Sequence, residues 1–473
     1  MASPNISFDS ISSSIRKPGK YFEFNTKLAV RTLPGNLQKT LILGQRLASG
    51  SIAAGAIVDV FSSADAATYF GRGSIAHLMV LAALQANPYL SLQVVALDDA
   101  AGSVAATKTI PFVGPASSTG IAQLNVGDQS VVIAISSGDT ANNIASALQA
   151  QIAKQPDLPY TATVSTNTVT LTAKNKGTLG NQIPVSLSIT ASGVTASVTA
   201  GTPGATDPTI TTALAAVFSA GHNIIISAWN DATNLTALRT HLDNVSGPLE
   251  QRGAVGVFAH VGTLAASTTL ASSVNSGRIT GFLLPTAYDN VFEVAAAYGA
   301  VIASEEDPAR PLNTLPLTGI LPNPLANRLM RTEQENALNN GITPSEVGPG
   351  DKVQIVRAVT TYTLDPQGIP DISLLDLTTI RTLDYVRKAV RERISLRFPR
   401  EKLSERTQDK ARSEILDVLY KLEELEIVEN VDANKAGVIV ERDSQDPNRL
   451  NARIPADVVN GLHIFAGRID LLL

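Results

Sequence analysis

The chain has 473 residues, enough for roughly two to four hydrophobic cores. Its 37 lysines and arginines and 42 aspartates and glutamates give a net charge of −5, which predicts no general attraction to nucleic acid or to an anionic membrane. The absence of cysteine excludes disulfides, thiol catalysis and cysteine-ligated zinc. No basic segment followed by an apolar run opens the sequence, and the longest apolar stretch, residues 75–84, is too short to cross a bilayer.

Residues 1–30 are predicted to form an N-terminal arm. The segment SPNISFDSISSSIRKPGK is polar and is interrupted by Pro4 and Pro18, and proline cannot donate to a strand ladder. Such a segment carries too few apolar side chains to offset the entropy lost when it becomes ordered. We therefore do not expect it to form a strand in the core of its own subunit.

The next part of the chain alternates between strand-like and helical patterns. Residues 39–45 and 91–98 are strand-like and residues 76–87 are helical. The alternation resumes after residue 206, with helical patterns at 210–221, 234–245, 264–275 and 290–303 and strand-like patterns at 223–229, 254–261 and 279–285. Apolar strands between amphipathic helices predict a sheet covered on both faces and at least partly parallel. We assign residues 31–106 and 207–350 to one discontinuous α/β core domain.

Residues 107–206 differ from both flanks in composition. They are rich in Thr, Ser, Ala, Val and Gly and contain only seven charged residues. The segments QSVVIAI (129–135) and TVTLTA (168–173) alternate like strands, and a helix is predicted to begin after a cap at Asp139 or Thr140. The apolar face of this helix comprises Ile144, Leu148 and Ile152. We predict an inserted β-rich domain that lies on the outside of an assembly.

The last third of the chain is more charged. Residues 308–352 are rich in Pro, Asn and Gly, and they are predicted to form a long irregular connection. A strand-like pattern at 352–365 is followed by a helical pattern at 377–398. An acidic helical pattern at 414–428 and a second strand-like pattern at 437–443 come next. They predict a small C-terminal α+β domain, residues 351–458.

The helical segment 377–398 has an apolar stripe and many basic residues. The stripe comprises Leu377, Ile380, Leu383, Val386, Val390 and Ile394. Largely off the stripe lie Arg387, Lys388, Arg391, Arg393 and Arg397. A run of charge can be a solvated face, a nucleic-acid surface or a protein-docking surface. Nucleic acid is disfavoured because glutamates are interspersed and no exposed aromatic side chains offer base stacking.

Residues 459–473 end the chain on three leucines, which is unusual for a terminus in water. The preceding residues are mostly strand formers and alternate with period two, which predicts a C-terminal arm strand. Two alternatives remain open. The strand either closes the sheet of its own subunit or joins a sheet of a neighbouring chain.

The sequence offers little for catalysis. The histidines His77, His222, His241, His260 and His463 lie far apart and lack the spacing of a metal site. The equal intervals between the middle three are attributed to coincidence. No nucleophile elbow, P-loop, zinc-protease motif or dinucleotide-binding motif is present. The segment GRGS (71–74) is expected to be a turn and helix cap rather than a phosphate-binding loop.

The C-terminal 120 residues, including LDLTTIRTLDYVRKAVRERISLRFPR and VVNGLHIFAGRIDLLL, resemble contractile tail sheath proteins of Mu-like bacteriophages. The early GRGSIAHLMVLAALQANPYLSLQVVALDD and the later GDTANNIASALQAQI occur in the same order as in that family. The resemblance implies a virion protein, assembled in the host cytoplasm, whose subunits stack as six-fold rings around a tail tube. It also implies contraction that drives the tube through the host envelope during genome delivery.

The resemblance further implies which residues meet other chains. Terminal arms that add strands to neighbouring subunits would use Ile6, Phe8, Leu462, Ile464, Phe465, Ile469, Leu471 and Leu473. The tail tube would be contacted by Arg387, Lys388 and Arg391. The other expected partners are baseplate and tail terminator proteins, with no cofactor, no metal, no nucleic acid and no membrane insertion.

Two alternatives to a phage tail sheath remain. The same fold serves as the sheath of a phage-derived contractile injection device or bacteriocin, which one subunit's sequence does not distinguish. A hydrolase, from a different class of function, would require a nucleophile with a nearby base. We expect no enzymatic activity.

Overall fold

The computed structural model describes residues 15–22 and 33–472. Ile6, Phe8 and Leu473, three of the predicted arm residues, lie outside the described residues. The strands are β1 (Lys39–Gln45), β2 (Ile57–Asp59), β3 (Ser91–Leu97), β4 (Thr107–Val113), β5 (Gly120–Val126), β6 (Gln129–Ile135), β7 (Tyr160–Ser165), β8 (Thr168–Ala173), β9 (Val185–Ile189), β10 (Thr195–Ala196), β11 (Thr199–Ala200), β12 (Ile224–Ser227), β13 (Val255–Val261), β14 (Ile279–Leu284), β15 (Thr343–Gly348), β16 (Lys352–Ile355), β17 (Val428–Glu429), β18 (Ile439–Arg442), β19 (Leu450–Arg453) and β20 (Asp457–Val458).

The helices alternate with these strands. They are α1 (Ser63–Phe70), α2 (Ile75–Ala86), α3 (Ala141–Ala153), α4 (Thr211–Ala216), α5 (Ala232–Ser246), α6 (Leu264–Val274), α7 (Val291–Ser304), α8 (Arg331–Asn339), α9 (Leu377–Arg397), α10 (Glu405–Glu424) and α11 (Val431–Asn434). The result is a mixed α/β fold with several sheets.

The large sheet of the described chain has eight strands in the order β16-β15-β14-β13-β12-β1-β3-β2. Neighbours from β15 to β3 run parallel, and the two edge strands, β16 and β2, pair antiparallel. In β1 the side chains of Leu41, Ile42 and Leu43 are all inaccessible to solvent. A strand with consecutive buried residues needs apolar cover on both faces of the sheet.

Helices supply that cover on both faces. Ile226 of β12 lies against α7, where a Cβ on Gly299 would come within 2.4 Å of the Ile226 Cδ1 atom. Ile225, the residue before it, lines a small cavity with His241 and Val245 of α5. Because successive side chains of a strand point to opposite faces, α7 and α5 cover opposite sides of the sheet.

The β-rich region between β3 and α4 forms separate sheets. One has the order β10-β4-β8-β7, with β11 also paired to β4, and another has the order β6-β5-β9. Helix α3 begins after Thr140, whose hydroxyl accepts from Asn143 N, and it buries the predicted apolar face. The chain enters and leaves the β-rich region at one place, because Val104 and Ala205 exchange backbone hydrogen bonds of 3.0 and 3.2 Å.

Asn175 links the β-rich region to the large sheet. Its Oδ1 accepts from the backbone N of Ile75, at the start of α2, at 3.0 Å. Its Nδ2 donates to the carbonyl of Arg46, directly after β1, at 2.8 Å. The region therefore packs beside the carboxyl end of β1.

The predicted irregular connection at 308–352 is wrong in its second half. Helix α8 and strand β15 lie there, and β15 extends the large sheet beside β14. The strand pattern predicted over 352–365 is a strand only as far as Ile355, and that strand also belongs to the large sheet. The turn-rich composition concealed these elements because tertiary pairing with β14, not local propensity, orders β15.

The last part of the chain has its own small core. Tyr385, Val386 and Ala389 of α9 pack with Ile415 and Leu419 of α10. Helix α10 begins at Glu405, nine residues before the start predicted from the acidic pattern. Strand β17 pairs with β20 and β18 pairs with β19.

Candidate interaction surfaces

Helix α9 connects the two cores. Its N-cap is Asp376, whose side chain accepts from Thr378 N. Leu377 and Ile380, in its first turn, belong to the core of the large sheet, whereas the next turns contribute to the smaller core. The helix is therefore fixed at both ends of its apolar stripe.

The three basic residues predicted to contact the tail tube all bond to their own chain. Arg387 Nη1 donates to the carbonyl of Ser246 at 2.7 Å. Lys388 Nζ donates to the carbonyl of Gly35 at 2.7 Å, and Arg391 Nη1 donates to that of Gln251 at 3.0 Å. Arg391 is exposed, whereas Arg387 and Lys388 are partly buried. These side chains join α9 to the end of α5 and to the loops that precede β1 and β13.

Asp384 is the centre of an ion-pair cluster beside them. Its carboxylate accepts two hydrogen bonds from Arg278, at 2.7 and 3.1 Å, and one from Arg387 at 2.7 Å. The Arg278 and Asp384 side chains are both mostly buried. Gly253 lies against this carboxylate, and a Cβ there would come within 2.4 Å of the Asp384 Cγ atom. The two parallel hydrogen bonds between Arg278 and Asp384 fix the relative orientation of these side chains and also contribute to stability.

Arg393, which lies largely off the apolar stripe of α9 with the other basic residues, is not at the surface of the subunit. It is buried between α9 and α10, where Nη1 lies 3.1 Å from Glu414 and also pairs with Asp417. A buried cation requires such partners because its charge has lost its water. The acidic pattern of α10 and the basic pattern of α9 were the only sequence signals for this contact.

The C-terminal arm forms no strand in the part that the structure describes, residues 459–472. Its apolar side chains face solvent, with exposures of 79% for Leu462, 80% for Ile464, 88% for Phe465, 99% for Ile469 and 82% for Leu471. All of these belong to the predicted strand-exchange set. A row of exposed apolar side chains is typical of an interaction surface.

The arm is anchored at its base. His463 Nε2 lies 2.9 Å from the Asp376 carboxylate, and Asn313 Nδ2 lies 2.9 Å from His463 Nδ1. Burial alone would raise the pKa of Asp376, but hydrogen bonds from His463 and Arg357 outweigh it and lower the pKa to about 2. The carboxylate is therefore charged at neutral pH and ties the arm to the N-terminus of α9.

The remaining histidines are packed within the fold. Burial lowers the pKa of His222 and of His241 to about 4, so both are neutral at pH 7. His260 Nδ1 lies 2.8 Å from the hydroxyl of Ser267. That hydroxyl also donates to the carbonyl of Thr263, and Ser267 is inaccessible to solvent, so a substrate has no path to it.

The segment 71–74 is the turn and cap expected from its sequence. Gly71 ends α1, and the Ser74 hydroxyl accepts from His77 N at the start of α2. Residues 15–22 and 33–472 contain no group of three or more His, Asp or Glu side chains placed to hold a metal ion. None of the helices that the structure describes combines the length and apolar character needed to span a bilayer.

Comparison with known proteins places this architecture in a family. The sequence matches the phage tail sheath protein central domain over residues 203–361 and the phage tail sheath C-terminal domain over residues 370–471. The chain belongs to the phage tail sheath family. It is 35% identical over 487 residues to the Mu-like prophage FluMu tail sheath protein of Haemophilus influenzae, with 99% of this chain and 100% of that protein covered.

Solved structures share the fold at lower identity. The sheath tail protein of Desulfitobacterium hafniense has a TM-score of 0.52 at 13% identity, covering 94% of this chain and 97% of its own. That of Listeria innocua has a TM-score of 0.51 at 16% identity, covering 91% and 94%. The contracted sheath of an extracellular contractile injection system, PVC, has a TM-score of 0.50 at 11% identity, covering 97% and 98%.

Proposed function

We propose that this chain is the structural subunit of a contractile phage tail sheath. Subunits stack as six-fold rings around the tail tube, and contraction drives the tube through the host cell envelope during genome delivery. The observation that carries the proposal is the C-terminal arm, which is anchored at His463 and exposes its apolar residues beyond that point. Family membership supports it independently.

The arm is proposed to add a strand to a neighbouring subunit. Leu462, Ile464, Phe465, Ile469, Leu471 and Leu473 would supply the side chains. Burial of each large apolar side chain is worth about 1.5–3 kcal/mol, and each new main-chain hydrogen bond adds about 0.5–1.5 kcal/mol net. Those gains offset the entropy lost when the arm becomes ordered, which is about 1–2 kcal/mol per residue. Ile6 and Phe8 are proposed to do the same from the N-terminal arm.

The β18–β19 hairpin is a suitable acceptor. Within the described residues, each of these strands pairs only with the other. An isolated pair of strands is marginally stable in water, and a third strand with an apolar face stabilises it. Ile439 of β18 exposes 43% of its surface. A neighbour's arm laid along this edge would satisfy the free backbone groups and cover this side chain.

The tube contact is proposed for the middle of α9, with Arg387, Lys388 and Arg391. Arg391 is the exposed member. Arg387 and Lys388 are partly engaged by main-chain carbonyls of their own chain, so they would mainly hold the helix in place for that contact. Partly exposed charge pairs contribute little affinity but fix orientation, which suits a surface that must release on contraction.

The domain assignment is proposed to follow the sequence pattern. Residues 107–206 would face outward, since the region leaves and returns at Val104 and Ala205. Residues 31–106 and 207–350 would form the middle of the subunit, and residues 351–458 would face the tube. The four residues of β16 are the exception, because their strand extends the large sheet.

Negative-stain microscopy of the expressed protein tests the proposal. Long hollow tubes support a sheath, and dispersed particles contradict it. The second candidate is the sheath of a contractile injection device, which the likeness to the PVC sheath favours. A capsid gene beside the sheath gene distinguishes a phage tail from such a device. Tail tube, baseplate and tail terminator proteins are the proposed partners, with assembly in the host cytoplasm.

A further inference from the structure

A polar cleft lies between α9 and the amino ends of β12 and β13. Its volume is about 230 Å³, several times the roughly 30 Å³ that a water molecule occupies in the liquid. Asn223 and Ala254, which directly precede these strands, line one wall. Arg381, Lys388 and Arg391 of α9 line the other wall. This cleft is separate from the exposed arm and from the β18–β19 edge, but it shares Lys388 and Arg391 with the proposed tube contact.

Arg381 is the most buried of these cations, with 7% of its surface exposed. Its Nη2 donates to the carbonyl of Glu305, the C-cap of α7, where the negative end of the helix dipole favours a cation. Its Nη1 has no hydrogen-bond partner among the residues that the structure describes. An unpaired charged donor in a buried position costs free energy unless a ligand satisfies it.

Three cations of α9 line one wall of the cleft. Lys388 and Arg391 bond to main-chain carbonyls, and neither forms an ion pair with a residue that the structure describes. The carboxylate at this wall, Asp384, is already shared between Arg278 and Arg387. Burial lowers the pKa of Arg381 to about 10 and the nearby charges of Glu305 and Asp307 oppose the fall, so the guanidinium remains charged at neutral pH. Converging cations with free donors are the usual recognition elements for phosphate and carboxylate groups.

We infer that this cleft binds one small oxyanion, held by Arg381 at its base and by Lys388 and Arg391 at its mouth. The oxyanion is either free inorganic phosphate or a carboxylate presented by an acidic side chain of another chain. In either case it would bridge α9 to the large sheet. The three cations on one wall and the unpaired Nη1 donor of Arg381 carry this inference, which does not depend on the proposed sheath assembly.

Isothermal titration calorimetry on the full-length protein at fixed ionic strength tests the inference. One arm uses inorganic phosphate, and the other uses glutarate as a carboxylate probe. Saturable binding of phosphate alone identifies a free oxyanion, and binding of glutarate alone identifies an acidic side chain as the natural ligand. Arg381→Gln should weaken binding of the effective probe about tenfold or more, since it removes a hydrogen bond to a charged group.

Arg331→Gln is the matched control, because it removes the same charge from an exposed position on α8. The Arg331→Gln variant should bind the effective probe as tightly as the unchanged protein does. Lys388→Gln and Arg391→Gln keep the test decisive if loss of the buried Arg381 prevents folding, and each should weaken binding several-fold. Absence of binding by both probes, or equal binding by the cleft variants and the control, overturns the inference.

Discussion

His463 and Asp376 form the contact at which the C-terminal arm leaves its subunit. With Asn313 Nδ2 donating to the Nδ1 of the imidazole at 2.9 Å, Nε2 carries the proton and donates to Asp376 at 2.9 Å. The same carboxylate caps α9 and accepts from Arg357 at 2.8 Å. The arm is therefore fixed to the helix that joins the two cores, while the apolar residues beyond His463 are exposed.

Two truncations separate the anchor from the arm. A chain that ends at His463 should keep its melting temperature and fail to polymerise, because it loses only exposed residues. A chain that ends at Asn460 should also fail to polymerise and lose about 1–3 kcal/mol of stability, because Asp376 loses a buried partner. Thermal melts and negative-stain microscopy check both. A large melting loss in the longer chain, or intact tubes from either, would show that the arm serves its own subunit.

Removal of the Asp384 carboxylate should strongly destabilise the fold. Asp384→Ala leaves Arg278 buried without its partner, which typically costs about 3–5 kcal/mol. Urea unfolding measures the loss. The double variant Arg278→Met/Asp384→Leu removes both charges and should recover most of that loss. If the double variant is no more stable than Asp384→Ala, the cost comes from packing rather than from the isolated charge.

Asp289 predicts a dependence of stability on pH. Burial raises its pKa to about 7, the nearby charge of Asp128 adds to the rise, and a hydrogen bond from Leu321 N opposes it. A carboxyl whose pKa is raised on folding contributes stability that is fully present below its unfolded pKa of about 4 and is lost as pH rises through about 7. The contribution of Asp289 to stability should therefore fall from pH 5 to pH 8, whereas the contribution of the neutral, buried His222 and His241 rises as pH passes from about 4 to 6.5.

Asp289→Asn tests that dependence because asparagine cannot ionise. The variant should be more stable than the unchanged protein at pH 8, by a difference on the order of 1–3 kcal/mol, and the difference should close toward pH 4. Urea unfolding at several pH values gives the two curves. Parallel curves over this range would mean that Asp289 stays ionised in the fold.

Arg391→Glu should weaken capture of the tail tube while sparing sheath polymerisation. Arg391 is the exposed member of the proposed contact, and its replacement leaves the Asp384 cluster intact. Co-sedimentation with assembled tail tube protein at increasing salt measures capture, and the salt dependence should decrease as well. Arg331→Glu is the control for charge reversal elsewhere. Equal capture by both variants and the unchanged protein would exclude this contact.

The β-rich region should be removable without loss of folding. Ala106 and Gly204 lie side by side, with the Ala106 Cβ 3.2 Å from where a Cβ on Gly204 would lie, so a short Gly/Ser linker can replace residues 107–203. The shortened chain should be soluble and melt cooperatively at a lower temperature, because the bonds of Asn175 are lost. Insoluble protein, or loss of the cooperative transition, would show that the region is part of the core.

Many elements followed from local pattern. Strands β1, β6 and β8 have the predicted bounds, and α3 buries the predicted face. Helix α9 begins at the predicted residue after an aspartate cap. These predictions are confirmed because periodicity and capping depend on residues within a few positions of one another. The resemblance to tail sheaths, which rested on collinear segments, is confirmed by the family matches.

The sequence by itself determined the alternation of strands and helices, the apolar character of the C-terminal arm and the membership of the family. Tertiary structure alone decided that β15 and β16 extend the large sheet, that Arg393 is buried against Glu414, and that His463 anchors the arm. These outcomes depend on residues that are distant in sequence, whose pairing no local pattern encodes. Burial and ion pairing are set by which surfaces meet, and only the folded chain determines that.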